Sequence, residues 1–127
     1  MTPFICLAAA IYFESGNQPI EGKYAVADVI LTRVASSRFP DDICGVVYQR
    51  KQFSFTHDGL SDDVDKVTNV LDVEQVVVSK MVATDVMRGR LPMLVADHYH
   101  TLSVNPYWNA NMPFVTVVGD HVFYRSE

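Results

Sequence analysis

The hydrophobic pattern is densest between Leu7 and Arg33, LAAAIYFESGNQPIEGKYAVADVILTR. Leu7, Ala8, Ala10 and Ile11 recur at helical spacing, and the residues between them are small or apolar as well. A helix that is apolar on every side belongs in a core, so burial is expected here. Ser15-Gly16-Asn17 interrupts the pattern with three turn-forming residues. Pro19 suits the first turn of a second helix, where its missing N–H has no helical partner to lose. From Ile20, the positions Tyr24, Ala27, Leu31 and Val34 return at three- and four-residue steps, with Val26, Val29 and Ile30 widening the stripe. The pattern predicts helices over residues 2–14 and 19–36. Glu14 falls at the break between them, at the end of a greasy helix. Apolar surroundings favour the neutral form of a carboxyl group, which is the form a general acid needs near neutral pH.

Further on, Asp41 or Asp42 can cap a short helix running to about Tyr48. The stretch from Gln49 to Asp65 is longer than most loops of a compact domain, so it is expected to be functional or partly helical. Asp72 to Arg88 is the clearest single helix. Asp72 followed by Gln75 resembles a capping box, and Val73, Val76, Val77, Met81, Val82 and Met87 form a broad apolar stripe. Gly89 suits the position after its end, Pro92 a stop, and packing is its expected role. The last third changes period. Ala96 to His100 alternates polar and aromatic residues, and two apolar runs, 114–118 and 121–125, flank Gly119-Asp120 as in a hairpin. The expected fold is α+β, mainly helical with a small antiparallel sheet in the C-terminal third, and residues 1–127 form a single domain.

Composition narrows the function. A net charge of −5 and the lack of any Lys/Arg run speak against nucleic acid. No apolar run approaches the ~20 residues of a membrane span. Phe4 to Phe13 resembles the apolar part of a signal peptide, but it has no positively charged start and Glu14 follows at once, so it reads as a core helix. The chain is expected to be a monomer, with no nucleic acid, membrane, metal or cofactor. Cys6 and Cys44 allow one disulfide or none; both sit in apolar runs, and the simplest reading is two buried free thiols. There is no GxSxG, P-loop or GxGxxG motif.

Seven pieces in one order carry a resemblance. They are IYFES with PIEGKYAVADVILTRV, Arg38-Phe39-Pro40, Cys44 to Tyr48, Gln52-Phe53-Ser54, Ala96 to His100, Pro106-Tyr107-Trp108, and Val118 to Tyr124. Together they resemble the cell wall hydrolases of the spore cortex-lytic (SleB/CwlJ) type over nearly the whole chain. The resemblance implies a lysozyme-like fold that cuts the glycan strands of peptidoglycan, with Glu14 as catalytic acid. That family commonly has a second acid where this chain has Gln18, a glutamine at Lys23 and an asparagine at Thr32. The place of action it implies is the bacterial wall: periplasm, spore cortex or the wall of a phage-lysed host.

The candidate site residues are Glu14 for catalysis and Gln52, Phe53, Ser54, His98, Tyr99, His100, Trp108 and Tyr124 for substrate. Aromatic rings with polar tips suit sugars, stacking on C–H faces while O–H or N–H groups hydrogen-bond. Gln52, Ser54, His98 and Tyr99 are expected to share a groove with Glu14. Four functions compete. A lytic transglycosylase needs one carboxylate, which matches Gln18. A hydrolytic muramidase needs a second, for which Glu21 is the nearby candidate, whereas Asp28 reads as part of the polar face of the second helix. A zinc amidase would use His98, His100 and His121, although no HExxH is present. A wall-binding module would use Glu14 only as a hydrogen-bond partner.

Overall fold

The computed structural model describes residues 1–49, 53–90 and 93–126. Helix α1 spans Pro3–Ser15, with the Thr2 hydroxyl accepting from the Ile5 N–H as N-cap and Pro3 in the first turn. Its residues Cys6 to Ile11 are all buried, so the helix that is apolar on every side is the central post of the fold. Helices α2 (Ile20–Ala35), α3 (Ile43–Val47) and α4 (Val70–Met87) all pack against it. Burying Leu7 and Ile11 contributes about 1.5–3 kcal/mol each relative to exposure. Pro19 sits one position earlier than expected, at the N-cap of α2. Asp42 caps α3 by accepting from the Gly45 N–H.

The expected free thiols are instead joined. Cys6 and Cys44 form a disulfide with Cα atoms 5.3 Å apart, tying α1 to α3. Their separation of 38 residues carries no pairing signal; only the packing of α3 on α1 brings the sulfurs together.

The 49–65 stretch is partly helical, with 3₁₀ turns at Ser54–His57 and Val64–Lys66. Helix α4 starts two residues before the expected Asp72. Its N-cap is Asn69, whose side chain accepts from the N–H groups of Leu71 and Asp72. Asp72 thus lies in the first turn and does not cap. Gly89 takes a positive φ of 96° just past the helix end, as its position suggested; Pro92 lies outside the described residues. The stripe of α4 is only half covered: Val76 and Val82 are buried, while Val73, Val77, Met81 and Met87 are exposed.

Three strands follow, β1 (His98–Thr101), β2 (Phe114–Val118) and β3 (His121–Tyr124), in the order β1-β3-β2, all antiparallel. A bulge between Phe114 and Thr116 interrupts β2. One sheet face carries Phe123, which packs on Ala25 and Val29 of α2 together with Ala96. The other carries Tyr124, which contacts Trp108, Phe114 and His100. The α+β architecture, helical in front with a small antiparallel sheet behind, is the one the pattern predicts.

Candidate active site

Glu14 lies in the last turn of α1, with α2 on one side and the inner sheet face on another. Tyr99 of β1 donates its hydroxyl to Glu14 Oε1 at 2.5 Å. Burial raises the Glu14 pKa above the ordinary carboxylate value; the Tyr99 hydrogen bond and the Arg33 charge pull the other way without cancelling it. Burial and the adjacent Glu14 hold the Tyr99 phenol well above its ordinary value, so Tyr99 stays a donor.

Arg33, near the end of α2, is only 4% exposed. Its Nε–H donates to the Asp97 carbonyl at 2.8 Å, and its guanidinium lies 5.0 Å from the Phe39 ring centre and 5.5 Å from that of Phe53. The positive charge acts on Glu14, Tyr99 and Asp97. Nothing in the amphipathic pattern marks Arg33, because its partners come from far along the chain.

Lys23 is a second buried cation, 2% exposed. Its ammonium donates to the carbonyls of Gln18 at 2.6 Å, Ser15 at 3.1 Å and Gly16 at 3.4 Å. These close the turn directly after Glu14, so Lys23 holds the end of α1 in place. Gln18 is also committed. Its Oε1 accepts from the Asp120 N–H at 2.9 Å and its Nε2 donates to Asp120 Oδ2 at 3.1 Å, clamping the α1–α2 turn to the hairpin tip. Gly119 beside it has φ +56°, and a Cβ there would collide with Gln18 Oε1.

The other candidates divide by strand alternation. In the β1–β3 register His98 opposes Tyr124, and Tyr99 opposes Phe123. Tyr99 therefore shares the inner face with Phe123 and His121, while His98, His100 and Tyr124 take the outer face. The expectation that His98 and Tyr99 face one groove overlooked this period of two. Trp108 sits over the outer face, 5.4 Å from His98, 5.7 Å from His100 and 5.4 Å from Tyr124. His100 Nδ1 donates to the Thr101 carbonyl, which leaves Nε2 to accept from the Tyr124 hydroxyl at 2.9 Å. Phe39 links the two regions, touching Arg33 on one side and lying 6.1 Å from His98 on the other. The three histidines do not converge, since His121 points inward; Tyr99 meets it edge-on at 5.1 Å. Among the described residues no group of three His, Cys, Asp or Glu side chains is placed to hold a metal.

Phe53 is in the core under Arg33. Ser54 is exposed and precedes Phe55, whose ring stacks on Phe13 next to Glu14. Gln52 lies outside the described residues. Glu21 is exposed and lines a separate cavity of about 250 Å³ with Tyr24, Asp28 and Arg90. Asp28 is not on a polar face. It is buried, 2.7 Å from Arg90 Nη1, and accepts from the N–H groups of Met93 and Leu94.

Comparison with known proteins gives a consistent picture. The cell wall hydrolase family profile matches residues 17–124, a span that begins just after Glu14. The spore cortex-lytic enzyme of Bacillus cereus is 30% identical over 120 residues, covering 94% of this chain and 42% of the relative. That of Oceanobacillus iheyensis is 43% identical over 53 residues, covering 42% of this chain and 19% of the relative. The chain thus spans less than half the length of these curated relatives. Among solved structures, the catalytic domain of the germination-specific lytic transglycosylase SleB from Bacillus anthracis matches with a TM-score of 0.77 at 28% identity, covering 97% of this chain and 93% of that domain. The Bacillus cereus SleB catalytic domain matches with a TM-score of 0.76 at 28% identity, covering 97% of this chain and 89% of that domain.

Proposed function

The chain belongs to the cell wall hydrolase family, and from that premise we propose that it cleaves peptidoglycan glycan strands as a lytic transglycosylase, with Glu14 as acid and then base. The observation that carries this reading is the setting of Glu14. It is a half-buried carboxyl group with a raised pKa, and among the described residues the groups that act on that pKa are a phenol and a guanidinium.

In the first step the protonated Glu14 gives its proton to the glycosidic oxygen as the C1–O bond breaks. Positive charge develops at C1 and the ring oxygen. Glu14 is left as a carboxylate, which the Tyr99 hydroxyl and the Arg33 charge stabilise. That carboxylate then takes the proton of the 6-hydroxyl of the same sugar while O6 bonds to C1. The 1,6-anhydro ring closes, Glu14 is protonated again and no water is consumed. The rings of Phe39, His98 and Trp108 lead away from Arg33 and supply flat faces suited to sugar C–H surfaces, with N–H groups on His98 and Trp108. The place of action on this reading is the bacterial wall or spore cortex.

Mass spectrometry of peptidoglycan digested by the purified chain tests the proposal. Products should end in 1,6-anhydro-muramic residues, one water lighter than hydrolysed muropeptides, and Glu14→Gln should yield no more than traces of them. Reducing ends, together with an inactive Glu21→Gln variant, would replace the lyase with a muramidase.

A further inference from the structure

A cavity of about 680 Å³ opens at the end of α2, and Glu14 is not among the residues lining it. Leu31, Ala35 and Val95 give it apolar surface; Arg38 and Arg125 line it with positive charge. Neither guanidinium takes part in the ion pairs Lys80–Asp65 and Arg90–Asp28 or in the His98–Asp97 contact, and neither joins another among the described residues. Two arginines outside those pairs at one cavity stand out in a chain of net charge −5. The Asp97 carboxylate also lines the cavity, but its oxygens are engaged. Oδ1 accepts from His98 Nδ1 at 2.9 Å and the Ser126 N–H at 2.7 Å, and Oδ2 accepts from the Ser126 hydroxyl.

Asp97 also links the cavity to the candidate active site. Its carbonyl takes the Arg33 Nε–H, and the Arg33 charge acts on Glu14. The cavity and Glu14 therefore flank one Arg33–Asp97 pair. A peptidoglycan strand carries more than sugar: muramic lactyl groups bear peptide stems of small side chains and free carboxylates. Arginine forks bind carboxylates in paired, charge-assisted hydrogen bonds, and the apolar surface suits alanine methyls.

Resting on the proposed glycan-strand cleavage, we propose that the Arg38–Arg125 cavity binds the carboxylate-bearing peptide stem of the strand being cut. The site then favours strands that carry stems and sets which muramic residue reaches Glu14.

Two measurements on the whole chain test this. The first is calorimetric titration with a free stem tetrapeptide, which needs no cleavage. Wild type and Glu14→Gln should bind alike, and Arg38→Ala/Arg125→Ala should bind at least tenfold more weakly, with affinity falling as salt rises. Arg38→Lys/Arg125→Lys should fall between, keeping the charge but losing the fork. No binding by wild type, or equal binding by the double alanine variant, would overturn the proposal. The second compares intact peptidoglycan with glycan strands stripped of stems by an amidase. The double alanine variant should show a several-fold higher KM on intact material and an unchanged rate on bare strands. Equal loss on both, or loss on neither, would count against a stem site. If wild type cleaves neither substrate, the proposed function fails, while the titration still decides whether the cavity binds stems.

Discussion

The Tyr99 hydroxyl and Glu14 Oε1 lie 2.5 Å apart although 85 residues separate them in the chain. The contact joins the end of the central helix to the inner sheet face. It also sets up a balance. Burial favours neutral Glu14, while the phenol and Arg33 favour its ion. A group that must give a proton and then take one back works best when neither form is far out of reach.

Glu14→Gln should lower cleavage by about 10²–10⁴-fold or more, because the amide keeps the shape but transfers no proton. The same variant should be more stable than wild type at neutral pH. The folded-state pKa of Glu14 is raised, so its contribution to stability is fully present below the unfolded value of about 4.3 and is lost as pH rises through the folded value. Above that window the ionised group is a net cost, which glutamine removes. Thermal melts should show a higher Tm for Glu14→Gln at pH 7.5 and no difference near pH 3.5. The reverse order at pH 7.5 would mean that Arg33 and Tyr99 outweigh burial.

Tyr99→Phe removes one of the two influences that lower the Glu14 pKa. The pH at which activity declines should therefore move upward. The rate at the optimum should fall about tenfold, the equivalent of roughly 1.5 kcal/mol for a hydrogen bond to a charged group. A pH–rate profile of kcat checks both, and an unmoved limb would separate Tyr99 from the working state of Glu14.

Much of this arrangement was legible in the chain. A run without a polar residue, Cys6 to Ile11, can only be a core helix, and the acid that ends it stands out. The alternation from His98 to His100 was legible too, and it alone assigns His98 and Tyr99 to opposite faces. The buried charges were not. Arg33 is held by Asp97, 64 residues away, and Asp28 by Arg90, 62 residues away; helical periodicity treats both as ordinary polar positions. Helix α4 shows the opposite error, since an apolar stripe records what could be covered and not what is.

Cys6→Ala with Cys44→Ala should destabilise the fold by about 4 kcal/mol, the chain-entropy value for a closed loop of this length. Denaturant unfolding of the double variant, or of wild type with and without reductant, measures it. A difference under about 1 kcal/mol would show that α1–α3 packing needs no bridge.

Gln18→Glu places a second acid at the position where the sequence resemblance implies one. It removes the only donor facing Asp120 Oδ2 from this side chain and sets two carboxylates together. A stability loss of about 1–3 kcal/mol is expected near neutral pH, shrinking as pH falls through the carboxylate range. Products should keep their anhydro ends. Reducing ends from this variant would instead show that position 18 can serve a water-activating base.

Lys23 tests whether the turn after Glu14 matters to chemistry or only to folding. Lys23→Met keeps most of the length of the side chain and leaves the carbonyls of Ser15, Gly16 and Gln18 without their buried donor. An unsatisfied buried polar group costs about 1–3 kcal/mol, so the fold should weaken by at least that much. The effect on catalysis should be separate. Glu14 precedes Ser15 directly, and a turn that relaxes by an ångström moves the acid from the bond it must protonate. The expected result is a fall in kcat of about tenfold or more at a temperature where the variant is fully folded, with KM little changed. Lys23→Gln keeps an N–H donor and should recover part of the lost rate. Full activity in Lys23→Met, despite a lower Tm, would confine Lys23 to a structural role.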